Sequence, residues 1–409
     1  MKRVAITGMG VLSPLGNSPE AVLDALKTGR SGISHMDEWD GVKGLKTRVG
    51  GRVHGMDPKR ISRKQRRTMG RMSIMAALAT MDAVQDSGLD PLELASEKAG
   101  VAMGSTTGSP HAIEKMFANY VESGGINYLE GTTFMKVMSH SAAANVAALL
   151  KTRGRLMAPC SACASSTQAI GTGFETIRAG VQEIMVCGGA EELHPSTAGV
   201  FDVVHAASKA YNNCPEKTPR PFDLNRDGMA VSEGAGVVIL EEMDRAMARN
   251  ATIYGEITGY GTSSDGSHMT SPSPGGMLHC MNQALAVAGI APKDLDYINA
   301  HATGTTIGDV AEAHALKELT RGRIPVSGTK GYTGHTLAAS GAIEVIFCLL
   351  MMDRGFIAPT LNLDEIDPDC LGIDHVTQLI EKPLKHILTS NFAFGGVNAS
   401  LILTSMKGA

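Results

Sequence analysis

No stretch of this 409-residue chain stays apolar long enough to cross a bilayer. The longest such run, Val345 to Met352, follows Glu344 directly and falls short of the ~20 residues a spanning helix needs. A secretory leader is missing as well, because the apolar stretch Val4 to Ile6 behind Lys2 and Arg3 is broken by Gly8, Gly10 and Pro14. Charge of one sign is also lacking. A net charge of −4 gives no global reason to bind nucleic acid or a membrane. The seven cysteines are odd in number and scattered through a chain far larger than a disulfide-stapled secreted domain. No close pair of His or Cys recurs at structural-zinc spacing, so no metal is expected. The 47 glycines cluster in short motifs rather than in a linker, which argues against low-complexity disorder. The default is a soluble, cytoplasmic globular protein.

What is present alternates between short apolar runs and helical patterns, which predicts an α/β fold with buried sheets. Val4 to Ile6 reads as a strand running into a glycine turn at Gly8 and Gly10. No third glycine follows at dinucleotide-loop spacing, so that reading is weak. Helices are predicted at Ser73 to Asp86, at Phe134 to Leu150 and at Leu337 to Met352, with strands at Lys98 to Ser105, Ile184 to Ala190 and Gly234 to Glu241. Ala251 to Gly261 begins again with the strand-to-glycine pattern of the N-terminus, so the chain divides into two similar halves, 1–245 and 246–409, with a seam at Met243 to Asn250. Arg220 to Gly228 is a polar, turn-rich segment that a core would not tolerate.

Four segments carry chemistry. Ala158 to Ser166 places Cys163 where an incoming strand holding Cys160 meets a helix. A thiol in a helix's first turn feels the positive end of the dipole, which favours the nucleophilic thiolate. His301 follows the strand Leu295 to Ile298 and is flanked by Thr303, Gly304 and Thr305. Lys330 and His335 sit in a glycine-bearing stretch ahead of a helix, and Ser390 to Asn398 offers free backbone amides suited to an oxyanion site. Most of the thirteen histidines must be surface or packing residues, and Cys187, Cys280, Cys348 and Cys370 read as small buried apolar groups. Cys160 and Cys163 also form a Cys-x-x-Cys, the signature of a redox protein. A basic run from Lys59 to Arg71 reads as a solvated helix face or as a docking patch for an acidic partner.

Taken together and in order, these segments resemble the elongating β-ketoacyl-acyl-carrier-protein synthases of the thiolase superfamily, over essentially the whole chain. The resemblance implies a five-layered αβαβα fold of two similar halves, and a homodimer or a heterodimer with a related subunit. It also implies a decarboxylative condensation of malonyl-carrier protein with an acyl chain held on Cys163, with no cofactor beyond the phosphopantetheine arm of the acyl carrier protein. By the same resemblance His301 and His335 stabilise the enolate, and Lys330 and Glu344 orient the histidine pair. Asp309 and Glu312 are structural supports, while Phe392, Phe394, Gly395 and Gly396 form the oxyanion and gate loop. Thr303 and Thr305 bind the pantetheine arm, Thr107 and Met229 border the acyl pocket, and Arg63, Lys64, Arg66 and Arg67 dock the carrier protein. Cys160, Met229, Ala302, Ala393 and Val397 depart from the family pattern. They motivate an alternative in which the same chemistry builds a polyene or polyketide-like chain in a dedicated pathway. A partner subunit without turnover is the reading of a different class.

Overall fold

The computed structural model describes residues 1–127 and 129–407. Its first half contributes β1 (Val4–Leu12), β2 (Ala99–Gly104), β3 (Leu156–Met157), β4 (Ile184–Glu191) and β5 (Gly234–Glu242). The second contributes β6 (Gly255–Ser264), β7 (Tyr297–Ala300), β8 (Pro325–Gly328), β9 (Asp374–His375), β10 (His386–Ala393) and β11 (Val397–Thr404). They join in the spatial order β9-β8-β7-β10-β11-β6-β1-β5-β4-β2-β3. From the junction outward, β1-β5-β4-β2-β3 and β6-β11-β10-β7-β8 repeat one pattern, two antiparallel pairings followed by two parallel ones. The halves meet where Ala5 of β1 pairs with Glu256 of β6.

Helices complete the layers. On the outer face of the first half lie α1 (Arg71–Ser87) and α2 (Ser141–Leu150). Between the halves lie α3 (Ser165–Arg178), which touches β2 and β4 on one side and β6 and β11 on the other, and a second central helix over residues 340–354. On the far side are α4 (Pro274–Ala288) and α5 (Thr306–Thr320), and the second central helix is α6 (Ser340–Arg354), packed on α3, β5 and β10. The result is the αβαβα sandwich, and its middle layer is buried. Every residue of α6 from Ser340 to Met352 is buried, which a helix apolar on all sides requires. The run too short for a membrane is therefore the core of the molecule, and no helix among the described residues is long and apolar enough to cross one.

Three expectations change. Gly8 and Gly10 lie within β1 rather than in a turn, because a Cβ at either would run into the Ala83 and Ala79 carbonyls of α1. The pattern from Phe134 to Leu150 is two helices, Thr133–Val137 and α2, with Met138 extended between them. Arg220 to Gly228 is turn-rich but mostly buried, with Leu224 and Asn225 exposed. Arg220 bonds Asp223 at 2.9 Å and Arg226 bonds Asp367 at 2.6 Å, so the charges enter the interior already paired.

Candidate active site

Cys163 sits in a single 3-10 turn, Ala162–Ala164, ahead of α3. Strand β3 ends at Met157, so Cys160 lies beyond it, exposed, with its Sγ 3.1 Å from the Thr106 carbonyl. Turning from strand to helix this sharply forces Ala162 to a φ of 45°, a left-handed conformation costing an alanine about 1 kcal/mol. The turn lifts Cys163 into a cavity of about 460 Å³ shared with His301, His335, Met229, Thr303, Thr305, Phe392 and Phe394.

Two buried loops bring the histidines there. His301 follows the last residue of β7, and Glu312 on α5 fixes that corner by accepting the N–H groups of His301 and Ala302, both at 2.7 Å. Asp309, one turn earlier, accepts from Gly304 at 3.1 Å and Phe222 at 2.8 Å. Burial raises both carboxylates, to about 8 for Glu312 and about 6 for Asp309. His335 lies between the short helix Lys330–Thr333 and the turn Leu337–Ala339. Its Nε2 is 2.9 Å from Cys163 Sγ. The two imidazoles stand edge to face with centroids 5.1 Å apart.

The hydrogen bonds behind the rings decide which nitrogen carries the proton. His335 Nδ1 accepts the Leu337 N–H at 3.3 Å and lies 3.0 Å from the Ser340 hydroxyl, which can donate to it as well, so the neutral ring keeps its proton on Nε2, toward Cys163. His301 Nδ1 meets the Asn391 side-chain amide at 3.1 Å, which leaves its Nε2 as the free nitrogen. Burial, together with the Lys330 charge, drives both histidines well below their ordinary value. Cys163 Sγ and one ring nitrogen of each histidine lie within 4.8 Å of one another, close enough for a metal. A ligating imidazole needs a free lone pair, however, and a ring protonated on Nε2 offers a hydrogen there. The trio is a cluster of donors rather than a cage.

Lys330 is fully buried and bonds Glu344 at 2.5 Å; Glu344 in turn accepts from Asn391 at 2.8 Å. Lys330 therefore reaches His301 through Glu344 and Asn391. The thiol departs from expectation. Burial pushes Cys163 up to about 12, against the opposing pull of Lys330 and its own backbone N–H. Losing hydration outweighs what one short helix end supplies. Since thiolate grows tenfold per pH unit below the pKa, alkylation of Cys163 is expected to keep accelerating past about pH 9. A plateau near neutrality in a mass-spectrometric time course would mean an activated thiolate instead.

At the cavity mouth, Gly395 and Gly396 hold φ values of 88° and 69°, and the Gly395 N–H donates to the Met269 carbonyl at 2.8 Å. Phe394 is exposed there and stacks on Phe201 with centroids 5.8 Å apart. Thr107 does not line this cavity. In the basic run, Arg71 is spent on Glu233 and Arg60 on Asp82, both at 2.5 Å. Among the described residues no carboxylate pairs with Arg63, Lys64, Arg66 or Arg67. Sequence reasoning missed Asn391, whose segment was read only for its backbone amides. It also missed Glu191, a buried carboxylate raised to about 7 that accepts from Thr106 Oγ1 at 2.7 Å. For Glu191, a polar side chain closing an otherwise apolar strand was the available signal.

Residues 1–246 match the beta-ketoacyl synthase N-terminal domain, and residues 254–364 match the corresponding C-terminal domain. The chain belongs to the β-ketoacyl synthase family. It is 39% identical to the 3-oxoacyl-[acyl-carrier-protein] synthase 1 of Haemophilus influenzae, with all of both chains covered. A crystal structure of a beta-ketoacyl synthase from Burkholderia phymatum superimposes with a TM-score of 0.96 at 42% identity, covering 100% of each chain. A type II polyketide ketosynthase, solved in complex with its acyl-carrier protein and bound to a hexaketide, gives 0.91 at 29% identity, covering 99% of this chain and 100% of that one. The fold is the thiolase-like one of these condensing enzymes.

Proposed function

We propose that this β-ketoacyl synthase lengthens a carrier-bound acyl chain by two carbons, using Cys163 as acyl acceptor and His301 and His335 as hydrogen-bond donors. The observation that carries this reading is the 2.9 Å approach of His335 Nε2 to Cys163 Sγ, in one cavity with a second neutral imidazole. Cys163 attacks the acyl thioester, and its proton leaves with the pantetheine sulfur. A high thiol pKa is tolerable in such an exchange, because one thiol replaces another. Backbone N–H groups of Cys163 and Phe394 hold the tetrahedral oxygen. Malonyl-carrier protein then enters, its pantetheine arm passing Thr303 and Thr305. Loss of carbon dioxide leaves an enolate whose oxygen takes the Nε2–H of both histidines, and its carbon attacks the acyl-Cys163 carbonyl. The released thiolate takes up one proton, which its raised pKa favours. The chemistry needs no metal and no cofactor beyond the carrier's pantetheine arm.

A panel of acyl-carrier thioesters of graded length and unsaturation, read by mass gain on Cys163, tests this. General fatty-acid elongation predicts acylation and extension with ordinary saturated chains. Turnover confined to conjugated or aryl-primed chains would instead establish the dedicated pathway, which the polyketide ketosynthase's likeness and the Met229, Ala302, Ala393 and Val397 departures motivate. Absence of any mass gain in the folded protein would sink both.

Among the described residues, Arg63, Lys64 and Arg67 are exposed and have no carboxylate partner, which suits an acidic carrier protein. The pair Arg63→Ala and Arg67→Ala is expected to raise the KM for carrier substrates about tenfold while kcat holds, with the loss shrinking as salt screens the wild type. A salt-insensitive KM would count against the patch. Self-association is read from another face. Strand β3 is paired on one side only, and Phe117, Val121, Ile126 and Phe134 stand exposed in the segments before it, an apolar area of the kind that marks an interface. Sedimentation at micromolar concentration should show a dimer, and Phe117→Asp with Val121→Asp a monomer.

A further inference from the structure

Asn391 lies within strand β10 with none of its surface exposed, and both ends of its amide are occupied. Thr167, one turn into the helix that follows the Cys163 turn, donates its hydroxyl to Asn391 Oδ1. The amide nitrogen lies 2.8 Å from Glu344 Oε2 and 3.1 Å from His301 Nδ1. Glu344 is salt-bridged to Lys330, so its carboxylate accepts and cannot donate. That fixes the amide's orientation, with nitrogen facing Glu344 and oxygen facing Thr167. One N–H goes to the carboxylate, and the other can only be given to His301 Nδ1. A ring nitrogen that accepts must be unprotonated, so the imidazole proton resides on Nε2, the atom exposed to the reacting groups.

We propose that Asn391 is a positioning residue for the condensation: it holds His301 in its Nε2–H tautomer, and it connects the Lys330–Glu344 pair to that ring. His335 receives the same service from a backbone N–H at Leu337, which no side-chain substitution removes. For His301 the tautomer rests on one side chain. With the proton on Nδ1, the ring would turn a lone pair toward the enolate oxygen and repel it. The proposal rests on the assignment of His301 as an enolate donor, and goes beyond it by naming what makes the ring a donor.

The test uses the full-length protein labelled with 15N-histidine, the His301 signals being those lost in His301→Ala. In the wild type, Nδ1 should show the shift of an unprotonated ring nitrogen and Nε2 that of a protonated one. A protonated Nδ1 would overturn the proposal with no variant needed. Asn391→Asp offers His301 only an acceptor and should exchange the two signatures, while Asn391→Leu keeps the volume and removes both N–H groups. Both should slow malonyl decarboxylation by the acyl-enzyme about 100-fold or more, the range of one misplaced proton donor. Cys163 acylation should stay within about threefold, because Asn391 does not touch the thiol. Decarboxylation retained near the wild-type rate in folded variants would refute the role. Failure of wild-type Cys163 to acylate would instead strike the underlying reading, so the two failures are separable.

Discussion

Cys163→Ala is expected to abolish condensation, by about 10,000-fold or more, with no acyl mass gained from any carrier thioester. The substituted chain should still fold. Cys163 is buried in a turn whose strain sits at Ala162, and removing its sulfur frees only the His335 Nε2–H, which faces the cavity. Melting temperature is therefore the control, and a shift of only a few degrees is expected. Binding of malonyl-carrier protein should persist, since Thr303, Thr305 and the basic patch are untouched. If the variant still extended acyl chains, the nucleophile would have to be sought elsewhere. Cys160 is the only other cysteine nearby in sequence, and it is exposed, with its sulfur against the Thr106 carbonyl.

The second large effect is asymmetric. His301→Ala should slow decarboxylation about 1,000-fold, the scale of one lost donor at a developing oxyanion. It should leave transfer of the acyl group to Cys163 within about tenfold, because only His335 reaches the sulfur. His335→Ala should impair both half-reactions. Single-turnover acylation by mass spectrometry, beside release of labelled carbon dioxide, separates the two. Equal loss of both steps in both variants would contradict the geometry. His301→Ala should also cost stability, about 1–3 kcal/mol, because Asn391 would be left holding a buried N–H with no acceptor.

The layered architecture was legible because its signals are local. Apolar runs ending at glycine, helical spacing, and the restart near Gly255 each depend on a few adjacent residues. The site residues were named through a resemblance spread over separate motifs, and the structure brings Cys163, His301 and His335 into one cavity although His335 is 172 residues from Cys163 in the chain. Errors arose where tertiary packing reverses a local rule. Gly8 and Gly10 look like a turn until α1 is laid across them, and Arg220 to Gly228 looks solvated until its arginines find Asp223 and Asp367.

Cys163 shows the division most clearly. Its sequence context, a thiol where a strand gives way to a helix, determined where it sits in the turn. Whether that thiol is acidic was decided by the fold, because desolvation depends on everything packed around the turn and here it outweighs the helix end. The tautomers of the two histidines belong to the fold as well. A ring's proton is placed by the donor behind it, and the donors behind these rings, Leu337 N–H and Asn391, are brought up by chain reversals that no local pattern encodes.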